Sequence, residues 1–478
     1  MVAPASGAVA DGDPSSAGRR GDALERIEFL ANIASLDGAS TLLDPKDADA
    51  EPDWSIEHPF PVGKTDRDPL LGSPLEPVLR PWRAVDQAAV DRLGLYSSIY
   101  YTLLYQHVVD PVPDTPRNLG TGRLDVNLVW NLWDEDSRDG RASGPGGHGL
   151  VGFLVRQGNQ IGVSQGQSTA ASVGSIEGLN SLYFGPEGSP ATLNLLYFQQ
   201  GWDDDRFVVS AGKIHPNQYI ALNFWANDES RQFLAGPFDG IQTVGSSLGG
   251  YQLGIAVQSA PTDDLFLNAI VTDALGRPDS MFGTIGEGYV WSAVELGWAL
   301  PVDEETLGGP CLASVIWSGQ NLDALASQPE RRWSNAIAGQ LQLHLTSQLG
   351  FWVQGGWCEP NMSTTTAQVS TGLGVQQPFG RRGDLCGIAY NWSRPTSASG
   401  PTGATVSSGG TLVGLGFDRT NPLAGPVLES QSMIEAFYRI QITGSMQLTP
   451  DIQVVFDPGM RSDAKTSVVL GLRLTTDF

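Results

Sequence analysis

Hydrophobic and polar residues alternate along most of the chain after residue 95. In residues 468–478 one parity is mostly apolar, whereas the other carries Arg473 and Asp477. A period of two residues is that of a β-strand whose two faces meet different surroundings. The same period returns in many earlier segments, among them residues 123–132, 251–258, 337–345 and 434–443. About sixteen such segments are present, each nine to twelve residues long and separated by turns rich in Gly, Asp, Asn and Pro.

The length of these segments separates two architectures that both show alternation, a soluble β-sandwich and a membrane barrel. Soluble strands usually have about five or six residues, whereas a tilted strand that crosses a bilayer needs about nine to eleven. The polar face consists mainly of Gly, Gln, Asn, Thr and Ser, which is typical of a water-filled lumen. Because hydrocarbon tolerates no unpaired strand edge, the segments must close on themselves. The pattern therefore predicts an all-β fold, a transmembrane antiparallel β-barrel of about sixteen strands around an aqueous channel.

Aromatic residues at the predicted strand ends are expected in the interfacial girdles of such a barrel. Packing in an ordinary protein core is the alternative for each of them. The residues concerned are Tyr96, Tyr101, Trp133, Trp202, Trp291 and Trp352.

The first part of the chain lacks this alternation. Residues 1–80 are rich in Pro, Asp and small residues and are expected to form an irregular acidic leader on the periplasmic side, with the barrel domain at 81–478. Helix-compatible patterns occupy residues 23–34 and 82–93. Residues 8–10 have the small-residue form of a signal-peptidase site, but no apolar core precedes them. A leader that plugs the channel is the alternative.

The composition of the chain excludes several classes of protein. The chain of 478 residues has 28 basic and 52 acidic side chains, a formal net charge of −24, which excludes a nucleic-acid binder held by phosphate contacts. Residues 1–70 hold fourteen acidic and six basic side chains and so supply about a third of this charge. No apolar run approaches the roughly 20 residues of a membrane-spanning helix. Three cysteines are too few for a disulfide framework, although a bond between Cys358 and Cys386 stays open.

Motifs for enzymatic chemistry are weak. Residues 245–249 match the Gly-x-Ser-x-Gly string around Ser247, and residues 162–166 match it again, in a chain with 58 glycines. A nucleophile elbow needs a helix after the serine, but residues 251–258 have the pattern of a strand. The five histidines have no paired spacing for zinc, and the glycine-rich residues 144–149 lack the lysine of a phosphate loop. We therefore predict no enzyme, no metal and no cofactor.

The C-terminal segments carry a family resemblance. IEAFYRI (434–440), LTPDIQ (448–453), DPG (457–459), LGLR (470–473) and the terminal Phe478 resemble the end of the carbohydrate-selective porins, the OprB family. AGK (211–213), NFWANDE (223–229) and QFL (232–234) resemble a strand and the adjoining pore loop of that family.

The resemblance spans residues 82–478 approximately and implies a bacterial outer-membrane porin. It implies passive diffusion of small hydrophilic solutes, carbohydrates above all, through a pore that is a homotrimer or a monomer. Phe478 resembles the sorting signal of outer-membrane barrels. The expected partners are sugars, ions and outer-membrane lipid.

Five charged residues are expected to face the lumen because of their parity. They are Arg123, Asp125, Glu435, Arg439 and Arg473. Charged rings and inward loops determine which solutes exchange their hydration at least cost. The alternative role for each residue is a ladder of opposite charges that stiffens the wall.

Residues 217–238 are too polar and irregular for a strand and are expected to fold inward as a constriction loop. There Trp225, with Phe224, is expected to stack on a sugar ring, and Asp228, Glu229 and Arg231 to bind hydroxyl groups. Lys213 is a further candidate, on a segment that alternates poorly. The competing interpretation is a turn packed on the wall with its charges satisfied locally.

Two other functions stay open. The net charge fits a general diffusion porin that prefers cations. A soluble β-rich carbohydrate-binding protein also fits alternating strands, and detergent dependence separates it from a porin.

Overall fold

A computed structural model shows a closed barrel of sixteen antiparallel strands. The structure describes residues 69–134, 147–161, 169–182, 191–203, 205–245, 250–262, 264–276, 282–283, 285–300, 311–322, 332–395, 429–460 and 465–478. Within these residues no helix is long and apolar enough to cross a membrane. The predicted helix at residues 23–34 lies outside the described part of the chain.

The strands follow one another around the barrel in chain order, and β1 pairs with β16 to close it, with Leu103 opposite Leu474. Their bounds are β1 Leu95–Val108, β2 Asn118–Asp134, β3 His148–Gln160, β4 Thr192–Trp202, β5 Phe207–Ile214, β6 Gln252–Thr262, β7 Leu265–Asp273, β8 Val290–Ala299, β9 Leu312–Gln320, β10 Ser334–His344, β11 Leu349–Cys358, β12 Thr365–Gln376, β13 Leu385–Pro395, β14 Gln431–Thr443, β15 Met446–Phe456 and β16 Ser467–Asp477. The predicted strand number and closure are confirmed.

The two rims of the barrel differ. The start of β1 and the end of β16 lie at one rim, called here the terminal rim, where the two residues 444–445 are enough to join β14 to β15. At the opposite rim, called here the loop rim, the connections include residues 161–191 and 215–251.

Side chains alternate between a buried inner face and an outer face along the strands, as predicted. In β14 the inner face presents Glu435 and Arg439, while Ile434 and Ile440 lie on the outer face. Two aromatic residues depart from the girdle prediction. Trp291 and Trp352 are fully buried on the inner face, because the indole nitrogen of Trp291 donates to the Val244 carbonyl at 3.2 Å and Trp352 packs on loop aromatics inside the barrel.

The described residues include three α-helices besides the strands: α1 Glu76–Leu93, α2 Thr169–Val173 and α3 Gly236–Asp239. Helix α1 starts six residues earlier than predicted, because Pro77 lies in the first turn, where it is tolerated, and Pro81 is accommodated inside the helix. It ends at Gly94, whose φ of 66° and backbone bond to Val90 form a left-handed cap. Backbone bonds from Leu70 and Leu71 fix the preceding chain to β14 at the terminal rim.

Candidate functional site

The connection between β5 and β6 folds into the barrel, as predicted for residues 217–238. Its described residues 215–245, called here the inward loop, contain α3, two single-turn 3-10 helices and otherwise irregular backbone, so many of its backbone groups depend on partners from the wall. Gln342 of β10 accepts the Phe224 N–H at 2.8 Å and donates to the Leu222 carbonyl at 2.6 Å. The Pro237 carbonyl accepts further bonds from side chains of β11 and β12. The inner wall thus determines the course of the loop.

Two wall carboxylates hold the loop backbone. Glu435 of β14 accepts the N–H groups of Leu234 and Ala235, and Glu295 of β8 accepts the N–H of Ala221 at 3.2 Å. Ala221 has a left-handed backbone with φ of 62°, which costs free energy for a residue with a Cβ and needs support from its surroundings. The glutamate at 295 was not a sequence candidate, although its position on the polar parity of β8 is a usable signal.

Trp225 packs against the wall. Its side chain is 2% exposed, and a Cβ added to Gly350 or Gly374 would lie within 2.3 Å of the indole ring, so the two glycines make the space that the ring fills. Phe224 and His344 complete an aromatic cluster, with centroids 4.9 to 5.2 Å apart. The ring therefore contacts the wall, and a stacking role towards a sugar stays a prediction.

A cluster of buried charges joins the loop to β2 and β3. Arg123 binds Asp125 through Nε and Glu229 through Nη1, each at 2.7 Å. Arg156, opposite Asp125 in the strand register, also binds Asp125 and lies 3.8 Å from Glu229. It also hydrogen-bonds the hydroxyl of Tyr251. Arg156 was not a sequence candidate, although its position on the inner parity of β3 is a usable signal. Two guanidinium groups therefore face two carboxylates across the wall and the loop.

A second group of charges fastens the loop near the terminal rim. Arg231 binds Asp477 at 2.8 Å and lies over the ring of Tyr100, and Arg473 donates to the carbonyls of Glu229 and Gln232. Burial disfavours the charged form of Arg231, but the nearby carboxylates of Asp477 and Asp228 raise its pKa above the ordinary value. The guanidinium therefore stays charged.

Of the remaining predicted residues, Asp228 also contacts Arg231, with 3.6 Å between Oδ2 and Nη1. Asp228 accepts from Ser230, and its side chain is 27% exposed, against 14% for Arg231 and 11% for Glu229. Lys213 is buried, and its Nζ donates to the Leu193 carbonyl at 2.8 Å. Arg439 donates to the Gly383 carbonyl at the terminal rim. For each of these side chains, contact with a solute stays a prediction.

A second segment also enters the lumen, from the connection between β3 and β4. Its described residues 169–182, called here the upper segment, include α2 and bind the inward loop directly: Gly236 donates to the Gly178 carbonyl and Ser181 to the Leu234 carbonyl, both at 2.9 Å. This placement was not predicted, because a run of small residues such as TAASVGS resembles an ordinary surface loop.

Glu177 lies buried in the upper segment. It accepts a hydrogen bond from Thr365 of β12 at 2.8 Å. Burial raises the pKa of its carboxyl group above the ordinary value of 4.5, and the bonds from Thr365 and Ser393 oppose that change only in part.

The described residues give no support to the weak motifs for enzymatic chemistry and metal binding. Ser247 and residues 162–166 fall outside the described residues. No group of three or more His, Cys, Asp or Glu side chains able to hold a metal occurs in the described ranges. Cys311, Cys358 and Cys386 are free thiols.

Comparisons with known proteins agree with this architecture. The sequence profile of the carbohydrate-selective porin, OprB family, matches residues 153–478. No curated protein sequence matches the chain.

Several solved structures align with most of the chain. The high-pH structure of Pseudomonas putida OprB aligns with a TM-score of 0.62 at 12% identity, over 83% of this chain and 97% of that one. The low-pH structure of the same protein aligns with a TM-score of 0.45 at 10% identity, over 83% of this chain and 96% of that one. A mutant of the Rh. blastica porin aligns with a TM-score of 0.46 at 11% identity, over 80% of this chain and 100% of that one. At 12% identity, the first of these likenesses shows a shared fold.

Proposed function

The chain belongs to the carbohydrate-selective porin family, OprB, and we propose that its inward loop selects the sugars that diffuse through this outer-membrane channel. The protein is an outer-membrane β-barrel that passes small hydrophilic solutes, and its family and fold are those of a channel rather than an enzyme. The observation that carries the proposal is the loop itself, held across the lumen by Glu435, Arg473 and the Arg123–Glu229 ion pair.

Asp228, Glu229 and Arg231 are the proposed solute contacts. Their side chains keep partial exposure inside the barrel, in contrast to Trp225. Carboxylates accept and a guanidinium donates hydrogen bonds, so together they replace water around sugar hydroxyls, which are both donors and acceptors. These hydrogen bonds do not require a charged solute, so they favour a neutral sugar over an ion.

Trp225 and Lys213 are proposed to act indirectly. Trp225 fills the space beside Gly350 and Gly374, and Lys213 ties β5 to β4 just before the inward loop begins. Both contacts support the shape of the inward loop. The loop must keep this shape for Asp228, Glu229 and Arg231 to contact the solute selectively.

The wall charges Arg123, Asp125, Glu435, Arg439 and Arg473 are proposed to fix the loop and the wall rather than to bind the solute. All five are buried, and each has a protein partner. Truncating one partner of a buried charge pair leaves the other uncompensated. Such residues therefore affect selectivity through the position of the loop.

Residues 1–80 are proposed to lie outside the lumen, at the periplasmic side, with the barrel domain formed by residues 81–478. The backbone bonds from Leu70 and Leu71 to β14 at the terminal rim support this arrangement. Removal of residues 1–68 is expected to leave conductance unchanged, whereas a large rise would indicate a plug.

A homotrimer is proposed as the assembly. Cross-linking in detergent and sizing against a monomeric standard test it, and a monomer at all concentrations overturns it.

Planar-bilayer recording tests the proposed selection. Discrete conductance steps that glucose or maltose blocks are expected. The block should weaken in Asp228→Asn, at unchanged heat stability, and in Arg231→Gln, which also loses the ion pair with Asp477. Steps without sugar block, combined with a reversal potential set by cations, would instead support the general cation-preferring porin.

A further inference from the structure

Helix α1 carries an exposed apolar stripe. Val78, Trp82, Val85 and Leu93 are 72%, 42%, 62% and 61% exposed. Their spacings of four, three and eight residues place them within an arc of roughly 80° at 100° per residue. Large apolar side chains grouped on one side of a helix usually mark an interaction surface.

The other sides of α1 have different surroundings. On the adjacent arc Leu79 is buried, and Asp86 accepts a hydrogen bond from the Ser97 hydroxyl of β1 at 2.5 Å. Ser97 has the parity of the outer face of β1, so α1 lies beside the barrel rather than across its lumen. Arg80 and Gln87 are exposed on the side opposite the stripe. The apolar surface is thus directed away from both the barrel wall and the polar side of the helix.

The stripe is continuous with the lipid-facing surface. Trp130, on the outer face of β2 and 45% exposed, donates its indole N–H to the Leu93 carbonyl at 3.1 Å. Val78, Val85 and Leu93 are more exposed than strand residues on the outer face such as Ile255 at 55% and Leu470 at 46%, and Trp82, at 42%, is slightly less exposed. Arg92 is exposed next to Leu93 and offers a guanidinium to a phosphate group.

We propose that α1 is an interfacial helix that binds the phospholipid surface of the periplasmic leaflet through Val78, Trp82, Val85 and Leu93. An amphipathic helix of this kind lies in the membrane interface with its apolar side among the acyl chains. The inference rests on the outer-membrane placement of the barrel, which the experiment monitors separately.

Spin labels in the full-length protein test this contact. In a background with Cys311, Cys358 and Cys386 replaced by Ala, a single cysteine is introduced as Val85→Cys in the stripe or as Gln87→Cys on the polar side. Ile255→Cys on the outer face of β6 reports insertion of the barrel. Each protein is reconstituted in phosphatidylethanolamine and phosphatidylglycerol vesicles, and the accessibility of the label to oxygen and to a water-soluble nickel complex is measured.

The label at position 85 is expected to favour oxygen over the nickel complex, as at position 255, and the label at 87 to show the opposite ratio. Water accessibility at 85 with lipid accessibility at 255 overturns the interfacial helix but not the porin, whereas water accessibility at 255 contradicts the barrel placement itself. Spin–spin broadening at 85 would indicate a second copy, and protection from both reagents would indicate coverage by residues 1–68. Either result overturns the lipid contact.

A second measurement avoids the cysteine replacements. Brominated phospholipids quench indole fluorescence on contact, so the wild-type protein is expected to lose more intensity than Trp82→Phe. Equal quenching of both proteins overturns the proposal.

Discussion

The carboxylate of Glu435 on β14 accepts the backbone N–H of Ala235 at 3.0 Å, which joins the inner wall to a loop two hundred residues earlier in the chain. The same carboxylate accepts the N–H of Leu234. Because a carboxylate offers two acceptor oxygens, it satisfies two adjacent N–H groups that no strand or helix serves. The loop thereby keeps one position without regular structure of its own.

Replacement of Glu435 by Gln is expected to loosen the inward loop. The amide has one acceptor oxygen, so one buried N–H loses its partner, at a cost of about 1–3 kcal/mol. Single-channel conductance should rise and sugar block should weaken. Glu429→Gln, an exposed glutamate near the start of β14, is the matched control and should behave like the wild type. Unchanged conductance and block in Glu435→Gln would show that other contacts fix the loop.

Replacement of Glu229 by Gln is expected to shift ion preference towards anions. The carboxylate lies 2.7 Å from Arg123 and 3.8 Å from Arg156, so its loss leaves two guanidinium groups facing Asp125 alone. A net positive site in a confined lumen attracts anions more strongly than a surface charge does. The reversal potential in a salt gradient measures the shift, and Glu359→Gln, at the loop rim, is the control. An unchanged potential would place Glu229 away from the ion path.

Replacement of Gly350 by Ala is expected to displace Trp225. The new Cβ would lie 1.9 Å from the indole ring, which is closer than real contacts allow, so the ring or the strand must move. Overpacking of this kind typically costs about 1–3 kcal/mol. The apparent melting temperature should fall, and sugar block should change with it. At Gly444, where an added Cβ meets nothing within 4 Å, the same substitution should have little effect. Equal melting temperatures for the two variants would contradict the packing described for Trp225.

Glu177 should make stability depend on pH. Burial raises the pKa of its carboxyl group above 4.5 in the folded protein, so the folded state binds more protons than the unfolded state. The contribution is therefore most favourable below about pH 4.5 and falls as the pH rises towards the raised pKa. Thermal unfolding followed from pH 4 to about pH 8 should show this slope in the wild type. In Glu177→Gln the slope should be smaller, and an equal slope in both proteins would assign it to other groups.

The barrel was predictable from sequence because each strand carries its own signal. Alternation in β14 or β16 depends only on which face meets lipid, so neighbouring residues are sufficient to read it. The inner-face position of Arg123 and Glu435 followed from the same parity.

The interior was less predictable because it depends on contacts between distant segments. Judged from its strand alone, Trp291 looks like an aromatic residue of the membrane interface. Its burial on the inner face follows from its hydrogen bond to the Val244 carbonyl of the inward loop. The upper segment enters the lumen because Gly178 and Ser181 bind the inward loop, and nothing local in its small residues indicates this. Prediction was therefore reliable where a residue's role follows from its strand and incomplete where it follows from a loop.

Replacement of Phe478 by Ala is expected to reduce delivery to the outer membrane without weakening the folded barrel. The backbone N–H of Phe478 donates to the Ile99 carbonyl of β1 at 2.9 Å, and the substitution keeps this bond at the closing seam. Phe478 is 37% exposed at this seam, so we expect its ring to act in recognition by the assembly machinery rather than in packing. Leu470→Ala, which truncates an outer-face side chain of the same strand, is the control. The Phe478 variant should refold in detergent with wild-type heat stability but accumulate less in outer-membrane fractions, whereas equal losses in both assays would make the ring a packing residue and not a signal.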